Sequence, residues 1–210
     1  MPESEQASPS PSVHTDPTLH AGADLLDRPV VMVGLMGAGK TSIGRRLAAQ
    51  LSMPFVDADA EIEAAAGCTI AEIFERHGEA AFRDGERRVI ARLLEGPPQV
   101  IATGGGAYMD AATRALVSER AIALWLRADL DTLTARTSRR SNRPLLKDGN
   151  PRATLDRLMQ ERYPVYAEAD IVVDSQDCPP DETTQAVLKA LLDYLDRQQD
   201  TAVNAAGTLP

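Results

Sequence analysis

Aromatic side chains are scarce, at 4% of 210 positions, so any core must be packed from aliphatic residues. Those are available: 43% of the chain is apolar, enough for one domain with a sizeable interior. Basic residues are outnumbered, and a formal net charge of −9 argues against a nucleic-acid partner, whose phosphates require clustered lysine and arginine. Cationic groups are instead expected to gather at one site. Only two cysteines occur, Cys68 and Cys178. They form neither a metal-like cluster nor a disulfide framework, so inert thiols and a cytoplasmic location are expected. No apolar run approaches the roughly 18 residues of a membrane span, so no membrane partner is expected either. Lysine and arginine are missing before Arg28, and no basic segment leads into an apolar one, which disfavours a secretory or transit signal.

Residues 1–27 are rich in Ser, Pro, Glu and Asp without sustained periodicity, and read as a disordered tail. His14 and His20 within it read as solvent-exposed, not as metal ligands. Residues 198–210 read as a second disordered tail, which leaves 28–197 as the folded domain.

What is abundant is order in one stretch, residues 29–51. The run Val30-Val31-Met32-Val33 reads as a buried strand, and Ile43, Leu47 and Leu51 recur about one helical turn apart after Thr41. Between strand and helix, Gly34-Leu35-Met36-Gly37-Ala38-Gly39-Lys40-Thr41 satisfies G-x-x-x-x-G-K-[ST] at every fixed position. Glycines let backbone N–H groups close on phosphate oxygens, and the helix N-terminus adds its positive end. Gly37, Ala38, Gly39, Lys40, Thr41 and Ser42 are therefore expected to bind the phosphates of ATP. Lys40 would reach the β- and γ-phosphates, and Thr41 would ligate Mg²⁺.

Further strands are expected at 54–56, 99–102, 122–126 and 171–173. Helices are expected at 69–77, 79–94, 110–118, 129–137, 151–167 and 181–197. Alternation of this kind implies a three-layer α/β/α P-loop fold with a five-stranded parallel sheet and ligands at the carboxyl ends of its strands. Residues 138–150 interrupt it with Arg139, Arg140, Arg143 and Lys147 against the single acid Asp148. Such a loop is a solvated excursion or a lid over an anion, and the polyphosphate site favours a mobile lid.

A P-loop protein usually draws on a second acid for its metal. The strand before Thr103-Gly104-Gly105-Gly106 ends without one, which leaves Asp57 for Mg²⁺ and Asp59 for an acceptor. If the segment is extended, residues two apart face the same cleft. Alternatively, both are surface acids at a strand–helix junction, with Asp59 supporting the first helical turn.

The segments GLMGAGKTS (34–42), FVDADAEIE (55–63), IAEIFERHGEAAFRDGE (70–86), TGGG (103–106), RPLL (143–146) and LMQERYPVYAEAD (158–170) together resemble the shikimate kinase family. The resemblance implies a monomeric enzyme that uses Mg-ATP to phosphorylate the 3-hydroxyl of shikimate, on the route to aromatic amino acids. It implies that Asp59 orients that hydroxyl, either as the base that accepts its proton or as an orienting group alone, and that Asp57 holds the magnesium shell. Arg83, braced by Glu86, and Arg162 would clamp the shikimate carboxylate. Gly104, Gly105 and Gly106 would bring N–H groups to the substrate, or would simply form a strand-ending turn. Arg143 would carry cationic stabilisation in from the lid. Arg136 matches the family's adenine-stacking arginine, and Pro180 either lines that pocket or caps the last helix. Phe74 and Phe82 would flank the shikimate ring or belong to the core. A gluconate kinase-like enzyme and a nucleotide-dependent switch are the rival readings, although no N-K-x-D signature supports the latter.

Overall fold

The computed structural model describes residues 26–138 and 150–206, the last five by their backbone alone. The N-terminal segment up to residue 25, residues 207–210 and residues 139–149, which include Arg143 and nearly all of the expected lid, lie outside the described residues.

Five strands form one sheet, in which every pairing is parallel: β1 (Val30–Val33), β2 (Phe55–Asp57), β3 (Val100–Ala102), β4 (Ile122–Arg127) and β5 (Ile171–Asp174), in the order β2-β3-β1-β4-β5. Burial on both faces explains why β1 and β4 read VVMV and IALWL without alternation. The edge strand β5 alternates instead, with Ile171 and Val173 buried and Val172 and Asp174 exposed. After β1 the chain passes to β2 at the edge, returns to β3, and then crosses to β4 on the other side of β1. The direction of winding therefore changes at β1, and a crevice opens at its carboxyl end.

The described residues form seven α-helices around the sheet: α1 (Lys40–Gln50), α2 (Ala58–Ala66), α3 (Ile70–Leu94), α4 (Ala111–Arg120), α5 (Leu130–Ser138), α6 (Pro151–Tyr166) and α7 (Pro180–Ala206). Their starts follow local chemistry. Thr69 and Glu72 make a reciprocal capping box ahead of α3, and Asn150 accepts from the N–H groups of Arg152 and Ala153 ahead of α6, with Pro151 at its first turn. The core is aliphatic, built from residues such as Met32, Leu47, Ile90, Ile101, Leu124 and Leu133. No described helix is long and apolar enough to cross a membrane.

Two expectations are corrected. Helix α2 is additional to those expected; only Ala58 and Ile62 on it are buried, too few to give a periodic pattern. Helix α7 runs beyond Arg197 to Ala206, through part of the expected tail, because no glycine or proline interrupts the chain before Gly207.

Candidate active site

The phosphate loop leaves β1 at the change of winding and enters α1 at Lys40. Gly34 has φ +144°, and a Cβ there would lie 2.6 Å from the Leu126 carbonyl oxygen. Gly37, at φ +87°, would bring a Cβ to 2.9 Å from Thr137 Cγ2. Both positions need glycine for backbone conformation and for space. Lys40 Nζ donates to the carbonyls of Gly34 at 2.7 Å and Leu35 at 3.1 Å, which holds the ammonium over the loop it follows. Gly39 is the N-cap of α1, Ala38 is buried, and Ser42 Oγ accepts from Arg46 at 2.9 Å.

Thr41 Oγ1 donates to Asp57 Oδ2 at 3.0 Å, which joins the loop to the end of β2. The other Asp57 oxygen accepts from the Asp59 N–H at 3.2 Å and caps α2. Of the two readings of Asp57-Ala58-Asp59, the extended one is corrected and the strand–helix junction stands: Asp59 occupies the first turn of a helix. The cap brings the two carboxylates together in place of strand alternation. Burial raises the Asp59 pKa, and the charges of Asp57 and Glu63 raise it further, while Lys40 and Arg83 pull it down.

Three successive glycines carry the far wall. A Cβ on Gly104 would stand 2.9 Å from Asp59 Oδ1 and 3.0 Å from Glu86 Oε1. On Gly105 it would stand 3.3 Å from an Arg162 guanidinium nitrogen and 3.4 Å from the Gly34 carbonyl oxygen, and on Gly106 only 2.5 Å from Arg83. None of the three has a positive φ. What requires glycine here is volume: the missing side chains are the room taken by Asp59, Glu86, Arg162 and Arg83.

Arg83 donates to Glu86 at 2.6 Å and to Glu79 at 3.3 Å. Burial works against its charge, but the hydrogen bonds and charges of Glu86 and Glu79 prevail, so its pKa is raised. Glu86 is 3% exposed. Burial lifts its pKa despite Arg83, with Asp59 and Asp110 adding to the rise. Phe82 lies in the core, 4.7 Å from the ring of Phe74, and its own ring sits 5.0 Å from the Arg83 guanidinium. Phe74 is 38% exposed.

On the opposite flank Arg136 donates to Ser175 Oγ at 2.8 Å, to the Gln176 carbonyl, and to the loop carbonyl of Ala38 at 3.4 Å. Ser175 Oγ itself donates to the Ala38 carbonyl at 2.9 Å. Arg136 therefore stands at the side of the phosphate loop and ties it to the segment after β5. Pro180 is exposed at the start of α7, beyond that segment.

Two residues that touch the site, Ser175 at the Ala38 carbonyl and Tyr166, whose hydroxyl donates to the Gly105 carbonyl, were not singled out from sequence. Ser175 carries no local signal. Tyr166 does: it follows Arg162 by four residues on α6, so the two share a helix face.

The family described as shikimate kinase matches residues 36–192. A shikimate kinase from Paramagnetospirillum magneticum is 56% identical over 174 residues, covering 83% of this chain and 89% of that one. A shikimate kinase from Rhodopseudomonas palustris is 51% identical over 196 residues, covering 93% and 97%. Among solved structures, shikimate kinase from Acinetobacter baumannii in complex with shikimate aligns with a TM-score of 0.77 at 38% identity, over 81% of this chain and 96% of that chain.

Proposed function

The chain belongs to the shikimate kinase family, and from that premise we propose that it transfers the γ-phosphoryl group of ATP to the 3-hydroxyl of shikimate, giving shikimate 3-phosphate and ADP. The observation that carries this reading is the glycine run. Asp59, Arg162 and Arg83 come against three successive residues, and the middle one also approaches the phosphate loop at Gly34. An acid for a hydroxyl and two cations for a carboxylate thus share one wall beside the phosphate loop and its lysine.

The phosphate loop, with Lys40, holds the polyphosphate and places its terminal group in the crevice. Arg83 and Arg162 fix the acceptor by its carboxylate, a geometry suited to guanidinium. Asp59 orients the acceptor hydroxyl, and its raised pKa suits a carboxylate that takes up a proton as the new bond forms. Rate enhancement then comes from alignment and from cations set where phosphoryl charge spreads. Arg136 and Pro180 flank the place for the nucleobase, and Arg143 is assigned to the same phosphates from the lid segment.

The Thr41 hydroxyl and the Asp57 carboxylate offer adjacent hard oxygen donors, 3.0 Å apart, which suit Mg²⁺. Among the described residues no group of three or more acidic, His or Cys side chains could hold a metal, in keeping with an ion that shares its shell with phosphates and water. Bound there, Mg²⁺ would neutralise phosphate charge.

The test is a coupled ADP-release assay with Mg-ATP against shikimate and gluconate, with product identification. Turnover specific to shikimate, yielding its 3-phosphate, is expected; turnover with gluconate alone would sink the assignment. Arg83→Ala should raise the shikimate KM by at least about tenfold, the scale of a lost charged hydrogen bond, with the ATP KM little changed.

A further inference from the structure

Behind the glycine run lies a buried aromatic layer in a chain with few aromatics. Tyr166 is its centre, 0% exposed, with ring centroids of Trp125, Tyr163 and Tyr108 within 5.9, 6.2 and 6.5 Å. Its hydroxyl donates to the Gly105 carbonyl. Arg162 lies one helical turn earlier on the same face of α6; burial raises the Tyr166 pKa, and the charge of Arg162, with that of Arg83, lowers it. We propose that Tyr166 is a positioning residue for acceptor binding: its hydroxyl fixes the Gly105–Gly106 peptide and the Arg162 guanidinium as one unit.

A planar trans peptide points its C=O and its N–H in opposite directions. Holding the Gly105 carbonyl toward the aromatic layer therefore turns the Gly106 N–H away from it. Among the described residues that N–H has no backbone acceptor, which leaves it for a ligand. Arg162 joins the same unit through Gly105: its guanidinium nitrogen stands 3.3 Å from where a Gly105 Cβ would be, so the peptide that the Tyr166 hydroxyl holds is also the surface against which the guanidinium packs. Tyr166 stays a neutral donor throughout the working range, because burial pushes its pKa up to about 12 although Arg162 lowers it.

The inference rests on the acceptor reading above, and its test separates the two. Tyr166→Phe keeps the ring and deletes the hydroxyl. The shikimate KM and the calorimetric Kd should both rise about tenfold, while the ATP KM stays within about twofold. In an Arg162→Lys background the same change should cost less than in the wild type, because one of the two groups being positioned is gone and only the Gly105–Gly106 peptide remains to be held. Unchanged shikimate affinity in folded Tyr166→Phe, or an equal rise in both KM values, overturns the proposal. Wild-type protein that fails to bind shikimate overturns the acceptor reading instead. Should Tyr166→Phe not fold, 3-fluorotyrosine placed at 166 gives the second measurement. Its fluorine resonance should move with shikimate and not with Mg-ADP; a resonance indifferent to shikimate overturns the proposal.

Discussion

On the proposed reading, Asp59 is the residue where stability and activity pull apart. Its carboxylate is desolvated and faces the charge of Asp57, and the opposing influence of Lys40 and Arg83 does not restore an ordinary pKa. A carboxyl with a raised folded-state pKa binds more protons folded than unfolded between its two pKa values. Its contribution to stability is fully present below the ordinary carboxylate range and is lost as pH rises through the raised value. Above the ordinary carboxylate range this carboxyl is therefore a cost to stability. Asp59→Asn should melt at a higher temperature than the wild type at pH 7.5, and the gap should close on acidification below the ordinary carboxylate range. Its kcat should fall by about 10²–10⁴, the usual worth of a positioned proton acceptor. Thermal melts across pH beside steady-state rates would check both, and an Asn variant no more stable at pH 7.5 would refute the account. The acids themselves were legible in the D-x-D spacing; their geometry was not. The Asp57 side chain caps a helix with no periodic apolar pattern, and the Asp59 N–H bonds back to that cap.

Helix α3 shows what two glycines in one element can mean. Gly78 has φ +77° and ψ 176°, a break inside the span Ile70–Leu94, and a Cβ there would meet nothing within 4 Å. The sequence pattern placed one helix before it and another after it, and the backbone bends at that residue. Gly85 lies in the regular part of the same helix, also with nothing within 4 Å of a Cβ. Space is equal, so only backbone conformation separates them. Gly78→Ala should destabilise by about 1–3 kcal/mol, the cost of holding an L-residue in a backbone region that only glycine adopts readily. Gly85→Ala should stabilise by about 0.5–1 kcal/mol through helix propensity. Urea unfolding measures both, and equal effects would show that conformation is not the difference. Legibility across elements followed burial. β1, β4 and α3 carry long apolar patterns, whereas α2 buries only Ala58 and Ile62 and the last turns of α7, DRQQDTAVNAA, are helix-compatible without a periodic apolar pattern. The glycine run was legible as a motif but ambiguous in purpose, because the guanidinium groups filling its missing Cβ volumes arrive from α3 and α6, distant in sequence.

At the scale of the molecule, an acidic chain sets its useful cations in two places. Lys40 sits on the phosphate loop after β1, and Arg83 and Arg162 come in from α3 and α6 around the turn after β3. The parallel sheet was readable from alternating strands and helices. The strand order was not, since buried apolar runs do not name their neighbours, yet it is the placing of β3 beside β1 that brings the two cation groups to one crevice. They meet through Gly105, whose Cβ position lies between Arg162 and the Gly34 carbonyl, and neither group is built from the other's side chains. Binding at each should therefore stabilise the folded chain separately. A ligand at 100 times its Kd contributes about 2.7 kcal/mol. For a domain of this size each kcal/mol moves the melting temperature by about 2–4 °C, so shikimate at that excess should raise it by about 5–11 °C. Mg-ADP should do likewise on its own. Lys40→Ala should abolish most of the nucleotide shift and keep most of the shikimate shift, and Arg83→Ala should do the reverse. Differential scanning fluorimetry with each ligand on each variant reads the four combinations. Loss of both shifts in either variant would mean that the two anion sites form one interdependent unit, and the division of cations argued from the glycine run would be wrong.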